Sequence, residues 1–198
     1  MTGRDPDGSF GPHLRNPANL ITLGGLAAGA AAVLLAGSSG FSLGGSRMWQ
    51  VTGLVAVAAA ADLADGTVAR RLGKATKFGE YLDTLCDAVS YATAPALAAY
   101  LVALRAVPVG GFLAALLWFG CVVARLDRYL LRGHQRTYIG CPAPAGAAAL
   151  TLLTAIRPPV LVTLGAALLL SGLMVSRIPV PAPGELAARL VKKARARA

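Results

Sequence analysis

Charge is scarce in this sequence. Lys, Arg, Asp and Glu occupy 14% of 198 positions, where a soluble domain carries about 25%. That shortage excludes an ordinary water-soluble globule, whose surface must be covered by ionised side chains. Acids are rarer still, nine in all. Aromatics make up only 6%, and none interleave with a basic patch as a nucleic-acid stacking surface requires. The net charge of +10 is therefore read without a nucleic-acid partner. The three cysteines, Cys86, Cys121 and Cys141, have no paired spacing, which argues against a disulfide frame or a zinc site and leaves them as reduced packing residues. His13 and His134 are isolated in expected loops and make no ligand set. Residues 1–15 contain Asp5-Pro6-Asp7-Gly8 and lack an apolar core, so they read as a cytoplasmic leader and not a signal peptide.

Apolar residues, in contrast, fill 56% of the chain. They come in long blocks instead of amphipathic stripes, and blocks of about 20 such residues read as membrane helices. The expected fold is an all-α membrane protein with six transmembrane helices near 18–37, 48–70, 80–103, 108–131, 140–156 and 158–176. Gly37-Ser38-Ser39-Gly40 and Pro158-Pro159 punctuate two tight connections. The domain reading is a leader over 1–15, a membrane domain over 16–180 and a basic cytoplasmic tail over 181–198. Only Arg47, Arg105 and Arg157 fall on one side of this arrangement; every other Lys and Arg falls on the other. By the positive-inside bias both termini, and the loops after the second and fourth spans, are cytoplasmic.

Against that background the acids carry information. A carboxylate at the centre of a membrane helix costs about 2.5–3.5 kcal/mol and tends to mark function. Asp62, Asp65, Glu80, Asp83 and Asp87 all fall in the second and third spans. Asp62 and Asp65 are three apart and Asp83 and Asp87 four apart, so each pair shares a helix face. The two spans are expected to be antiparallel neighbours, with four carboxylates converging near their cytoplasmic ends. Hard divalent cations held by oxygen ligands, Mg2+ or Mn2+, would relieve the repulsion. The plainer alternative pairs the acids with Arg70, Arg71, Lys74 and Lys77 in the connecting loop.

The run Asp62-Leu63-Ala64-Asp65-Gly66-Thr67-Val68-Ala69-Arg70, followed by Gly79, Asp83 and Asp87, resembles the CDP-alcohol phosphotransferase signature at all eight of its fixed positions. Gly66 and Ala69 lack bulk, so a nucleotide can come close to the helix backbone. Arg70, one turn on, can reach a pyrophosphate oxygen. Gly79 allows the third helix to start close to the second, and Thr76 resembles a donor-contacting position in relatives. Flanking segments resemble the phosphatidylserine synthase branch. Asn16 to Leu23 is similar to its opening, Asp83 to Ala96 to its LDSLxDxVSFGVAPA pattern, Ala124 to Tyr129 to RLARFN, Tyr138 to Ala145 to FIGLPSPAA, and Leu173 to Pro179 to LMVSRIP. Thr84, Ala92 and Asp127 depart from that pattern.

The resemblance implies a transfer of the phosphatidyl group from CDP-diacylglycerol to L-serine with release of CMP. It implies two divalent cations, one on Asp62, Asp65 and Asp83 and one on Asp62, Asp83 and Asp87, with Asp87 as general base. It also implies a homodimer in the plasma membrane of a bacterium, its active site facing the cytoplasm. A serine carboxylate needs a cation, for which Arg125 and Arg128 are candidates, and Ser90 is a candidate lining residue of the acceptor pocket. Ordinary positive-inside anchoring and helix packing are the competing roles for these three. Other acceptors, inositol phosphate or glycerol phosphate, stay open, as does a metal-ion or proton transporter using the same acids.

Overall fold

The computed structural model describes residues 17–38, 44–72, 77–132, 138–176 and 179–180, and side chains among them except at 69–72, 77, 128–132, 138–139 and 179–180. The helices are α1 (Pro17–Ser38), α2 (Gly45–Leu72), α3 (Lys77–Asp87), a π-helical segment (Ala88–Thr93), α4 (Ala94–Val102), α5 (Pro108–Arg132), α6 (Ala143–Ile156) and α7 (Val160–Val175). The expected leader and tail lie outside the described residues.

Among the described residues four helical stretches are long and apolar enough to cross a membrane: Pro17–Ser38, Gly45–Val68, Phe78–Val102 and Pro108–Asp127. The last two apolar segments form helices of 14 and 16 residues. At 1.5 Å per residue these are about 21 and 24 Å long, short of a hydrocarbon core of about 30 Å. Large apolar side chains such as Leu34, Leu63, Val109 and Leu161 lie exposed on the outer surface, as lipid-facing residues must.

The second helix runs to Leu72 and the third begins at Lys77, so both extend further toward each other than the apolar blocks alone predict. Arg and Lys are good helix formers whose stems can lie along apolar surface. The two helices are neighbours as expected, meeting through their carboxylates. Among the described residues α2 and α3 make few backbone contacts, and both lean instead on α1. Small residues explain why α1 takes the central place. A Cβ on Gly25 would sit 3.1 Å from Ala61 Cβ and 3.3 Å from Cys86 Sγ, and one on Gly29 would overlap Ser90 Oγ. Gly29 thus lets the π segment come close to the α1 backbone. Further around the bundle α2 packs on α6, and α5 packs on α7 and on the π segment. Thr52 Oγ1 of α2 donates to the Thr151 carbonyl of α6 at 3.3 Å.

The third span is not one regular helix, and the physical cause is visible. Pro95 has no N–H, so the carbonyl of Tyr91 lacks its α-helical donor four residues on. The ladder slips to π spacing, with Ala94 N–H donating to Val89 O and Thr93 Oγ1 donating to Ala88 O at 3.0 Å. The freed Tyr91 carbonyl accepts the indole N–H of Trp118 from α5 at 3.0 Å. Both side chains are fully buried. Trp118 anchors a core built largely of alanines, including Ala32, Ala92, Ala98, Ala143 and Ala147.

The connection at Pro158-Pro159 follows the expected punctuation, while the one at Gly37-Ser38-Ser39-Gly40 lies partly outside the described residues. Arg157 takes a left-handed conformation (φ 56°) to end α6, and Pro159 caps α7. Tyr138–Ile139 pairs antiparallel with Pro179–Val180. The corner after Ile139 requires glycine: Gly140 has φ +83°, and a Cβ there would lie 2.6 Å from the Met174 carbonyl. Cys86, Cys121 and Cys141 are free thiols.

Candidate functional site

Asp62 from α2 and Asp83 and Asp87 from α3 meet across the gap between the two helices. Each offers a carboxylate oxygen, and all three oxygens lie within 4.8 Å of one another. All three are half-buried. Among the described residues the buried Oδ1 atoms of Asp83 and Asp87 have no hydrogen-bond partner. Carboxylate oxygens crowded together and left without donors are what a hard cation with oxygen ligands takes up. Only oxygen donors are offered, which suits Mg2+ or Mn2+ better than a soft metal.

The fourth aspartate is placed differently. Asp65 is 5% exposed, and its Oδ2 accepts a hydrogen bond from Thr22 Oγ1 of α1 at 2.5 Å. Asp65 is therefore held by a donor from α1, whereas its three companions are gathered around one point. Thr22 is a site residue that the acidic pattern alone does not single out; only its burial with Ala18 and Asn19 on the inner face of α1 gives it away.

Arg125, half-buried on α5, interacts electrostatically with Asp62 and Asp87. One candidate acceptor cation thus stands beside the carboxylate cluster, while the side chain of Arg128 lies outside the described residues. Asp127 is exposed. Ser90 is completely buried, packed against Gly29, and its Oγ lies 3.8 Å from Cys86 Sγ. Gly66 and Gly79 are half-buried at the facing ends of α2 and α3, and Glu80 is exposed outside the cluster. Thr76 and the side chains of Ala69, Arg70, Arg71, Lys74 and Lys77 lie outside the described residues.

A family profile described as CDP-alcohol phosphatidyltransferase matches residues 15–178. A CDP-diacylglycerol–serine O-phosphatidyltransferase of Mycobacterium leprae is 44% identical over 112 residues, covering 52% of this chain and 37% of that protein. One of Bacillus subtilis is 36% identical over 121 residues, covering 61% and 68%. One of Methanocaldococcus jannaschii is 33% identical over 120 residues, covering 61% and 58%. The matched part of the chain is thus little more than a third of the mycobacterial relative's length.

Proposed function

The chain belongs to the CDP-alcohol phosphatidyltransferase family, and on that premise we propose that it transfers the phosphatidyl group of CDP-diacylglycerol to L-serine, giving phosphatidylserine and CMP. One observation carries the chemistry: Asp62, Asp83 and Asp87 present three oxygens within 4.8 Å, at signature positions, with two buried oxygens awaiting a partner. The relatives' names support serine as the acceptor. In this reading Asp62, Asp65, Asp83 and Asp87 hold two divalent cations, Mg2+ or Mn2+, with Asp65 fixed by Thr22. When bound, such ions neutralise charge on the reacting phosphates.

The chain's own residues supply the rest. Gly66, Ala69, Arg70, Thr76 and Gly79 form the donor site, with the small residues admitting the nucleotide close to the backbone and Arg70 meeting a phosphate oxygen. Asp87 accepts the serine hydroxyl proton as the hydroxyl oxygen bonds to the lipid-side phosphorus. The bond from that phosphorus to the bridging oxygen breaks, and CMP departs with the electron pair. Arg125, beside Asp62 and Asp87, offers a planar fork to the serine carboxylate, with Arg128 as its alternate and Ser90 at the pocket wall. The proposal includes six spans with both termini in the cytoplasm, a plasma-membrane location, a cytoplasm-facing site and a homodimer. The Lys/Arg bias supports the orientation.

The test is CMP release by the purified full chain from CDP-diacylglycerol, with serine, inositol phosphate and glycerol phosphate offered separately. Serine-dependent release that stops with chelator and returns with Mg2+ or Mn2+ supports the reading, and Asp62→Asn and Asp83→Asn abolish it. Release with a phosphorylated polyol and not with serine overturns the acceptor. Full turnover by either variant overturns the metal assignment.

A further inference from the structure

Tyr91 is among the largest fully buried side chains, 0% exposed. Its hydroxyl has no hydrogen-bond partner among the described residues. Buried phenols ordinarily find one, because an unpaired buried hydroxyl is unfavourable. Tyr91 lies four residues after Asp87, close to one turn further along the π-helical ladder of the same rod. The phenol is in electrostatic range of Asp62, Asp87 and Asp83. Among the described residues one buried donor without a partner thus stands on the same rod as two buried acceptors without one, the Oδ1 atoms of Asp83 and Asp87. The placement is imposed by the fold. Trp118 pins the Tyr91 carbonyl at 3.0 Å, and Gly29 admits the neighbouring Ser90 against α1.

We propose that Tyr91 is a positioning residue for the carboxylate site: with divalent cations bound, its hydroxyl donates a hydrogen bond to Asp87 and fixes the angle at which that carboxylate meets the ion. The inference rests on the metal reading given above. A donor held behind a ligand carboxylate orients it, and losing such a donor weakens metal affinity on the order of 10- to 100-fold. Where a phenol served only to fill the core, metal affinity would not depend on its oxygen.

The experiment uses the full chain in detergent and Tyr91→Phe, which keeps the ring. Mn2+ binding is measured without substrate, by the electron paramagnetic resonance signal of free Mn2+. CMP release is then followed as a function of Mn2+ and of serine. The expected result is a Mn2+ dissociation constant raised at least about tenfold, with kcat close to the parent's at saturating Mn2+. The unfolding temperature without metal should be no lower than the parent's, since the variant removes an unpaired buried hydroxyl. Unchanged Mn2+ affinity overturns the proposal, as does a change confined to the KM for serine. Weaker binding that comes with a lower metal-free unfolding temperature also overturns it, because the hydroxyl is then structural. A parent chain that binds no Mn2+ sinks the metal reading itself. A parent that binds Mn2+ beside an unaffected variant sinks only the role of Tyr91.

Discussion

Thr22→Val removes a hydrogen bond that ties α1 to the acidic site. The Thr22 hydroxyl has one hydrogen and two acceptors in reach, the Ala18 carbonyl at 3.1 Å and Asp65 Oδ2 at 2.5 Å. The shorter contact lies at the tight end of the range for a hydroxyl donating to a carboxylate, so the hydrogen belongs to Asp65. Valine keeps the shape and removes the donor. Hydrogen bonds to charged groups contribute about 1.5–3 kcal/mol, and Asp65 is too buried for water to replace the lost partner. If the bond serves to hold Asp65 in its working rotamer, that energy appears as a loss of kcat/KM of roughly ten- to 150-fold. The assay is serine-dependent CMP release at saturating Mg2+, beside thermal unfolding in the same detergent. Thr22→Ser, which restores the hydroxyl, should recover most of the loss. A Thr22→Val chain with parental kcat/KM and parental stability would refute the reasoning, since the bond would then contribute nothing measurable.

Three other outcomes follow from the packing and the charge pattern. Gly29→Ala forces a Cβ into Ser90 Oγ, with Ser90 Cβ at 3.0 Å and Cα at 3.1 Å, and should cost about 1–3 kcal/mol in unfolding measurements; adding Ser90→Ala should recover part of it. Trp118→Phe leaves the buried Tyr91 carbonyl without its donor and should lower stability by about 1–3 kcal/mol, read by thermal unfolding. Single cysteines at Lys74 and Arg132, in a chain with Cys86, Cys121 and Cys141 replaced, should resist membrane-impermeant thiol reagents in sealed cells and react once the membrane is opened. Labelling from outside would invert the orientation drawn from the Lys/Arg bias.

Much of the helical layout was legible because apolar blocks declare themselves without partners. Each expected span has a helix at its place, and Asp83 and Asp87, four apart, meet Asp62 as expected, while Asp65, three from Asp62, is bonded to Thr22 of α1 instead. What was hidden depends on contacts across the chain. Nothing local to Thr22 says that it will meet Asp65, 43 residues away. Nor does periodicity reveal that α1, through Gly25 and Gly29, packs against both α2 and the rod that carries Asp83 and Asp87. The π segment did have a signal, Pro95 in the middle of a span. That residue announces an orphaned carbonyl at Tyr91, but only the fold shows that Trp118 answers it.

The π segment also divides its helical rod into two halves out of phase. Before Ala88 the faces are fixed by α3, which carries Asp83 and Asp87; after Thr93 they are fixed by α4, which turns Ala94 and Ala98 into the core. A helical wheel drawn from the acids through to Val102 therefore goes astray beyond the slip, and one residue deleted between Ala88 and Thr93 would restore an α-helical ladder without turning either half, because the slip amounts to one extra residue in the rod. The end that holds the carboxylates and the end that packs in the core can thus drift separately in sequence, each answering to its own neighbours.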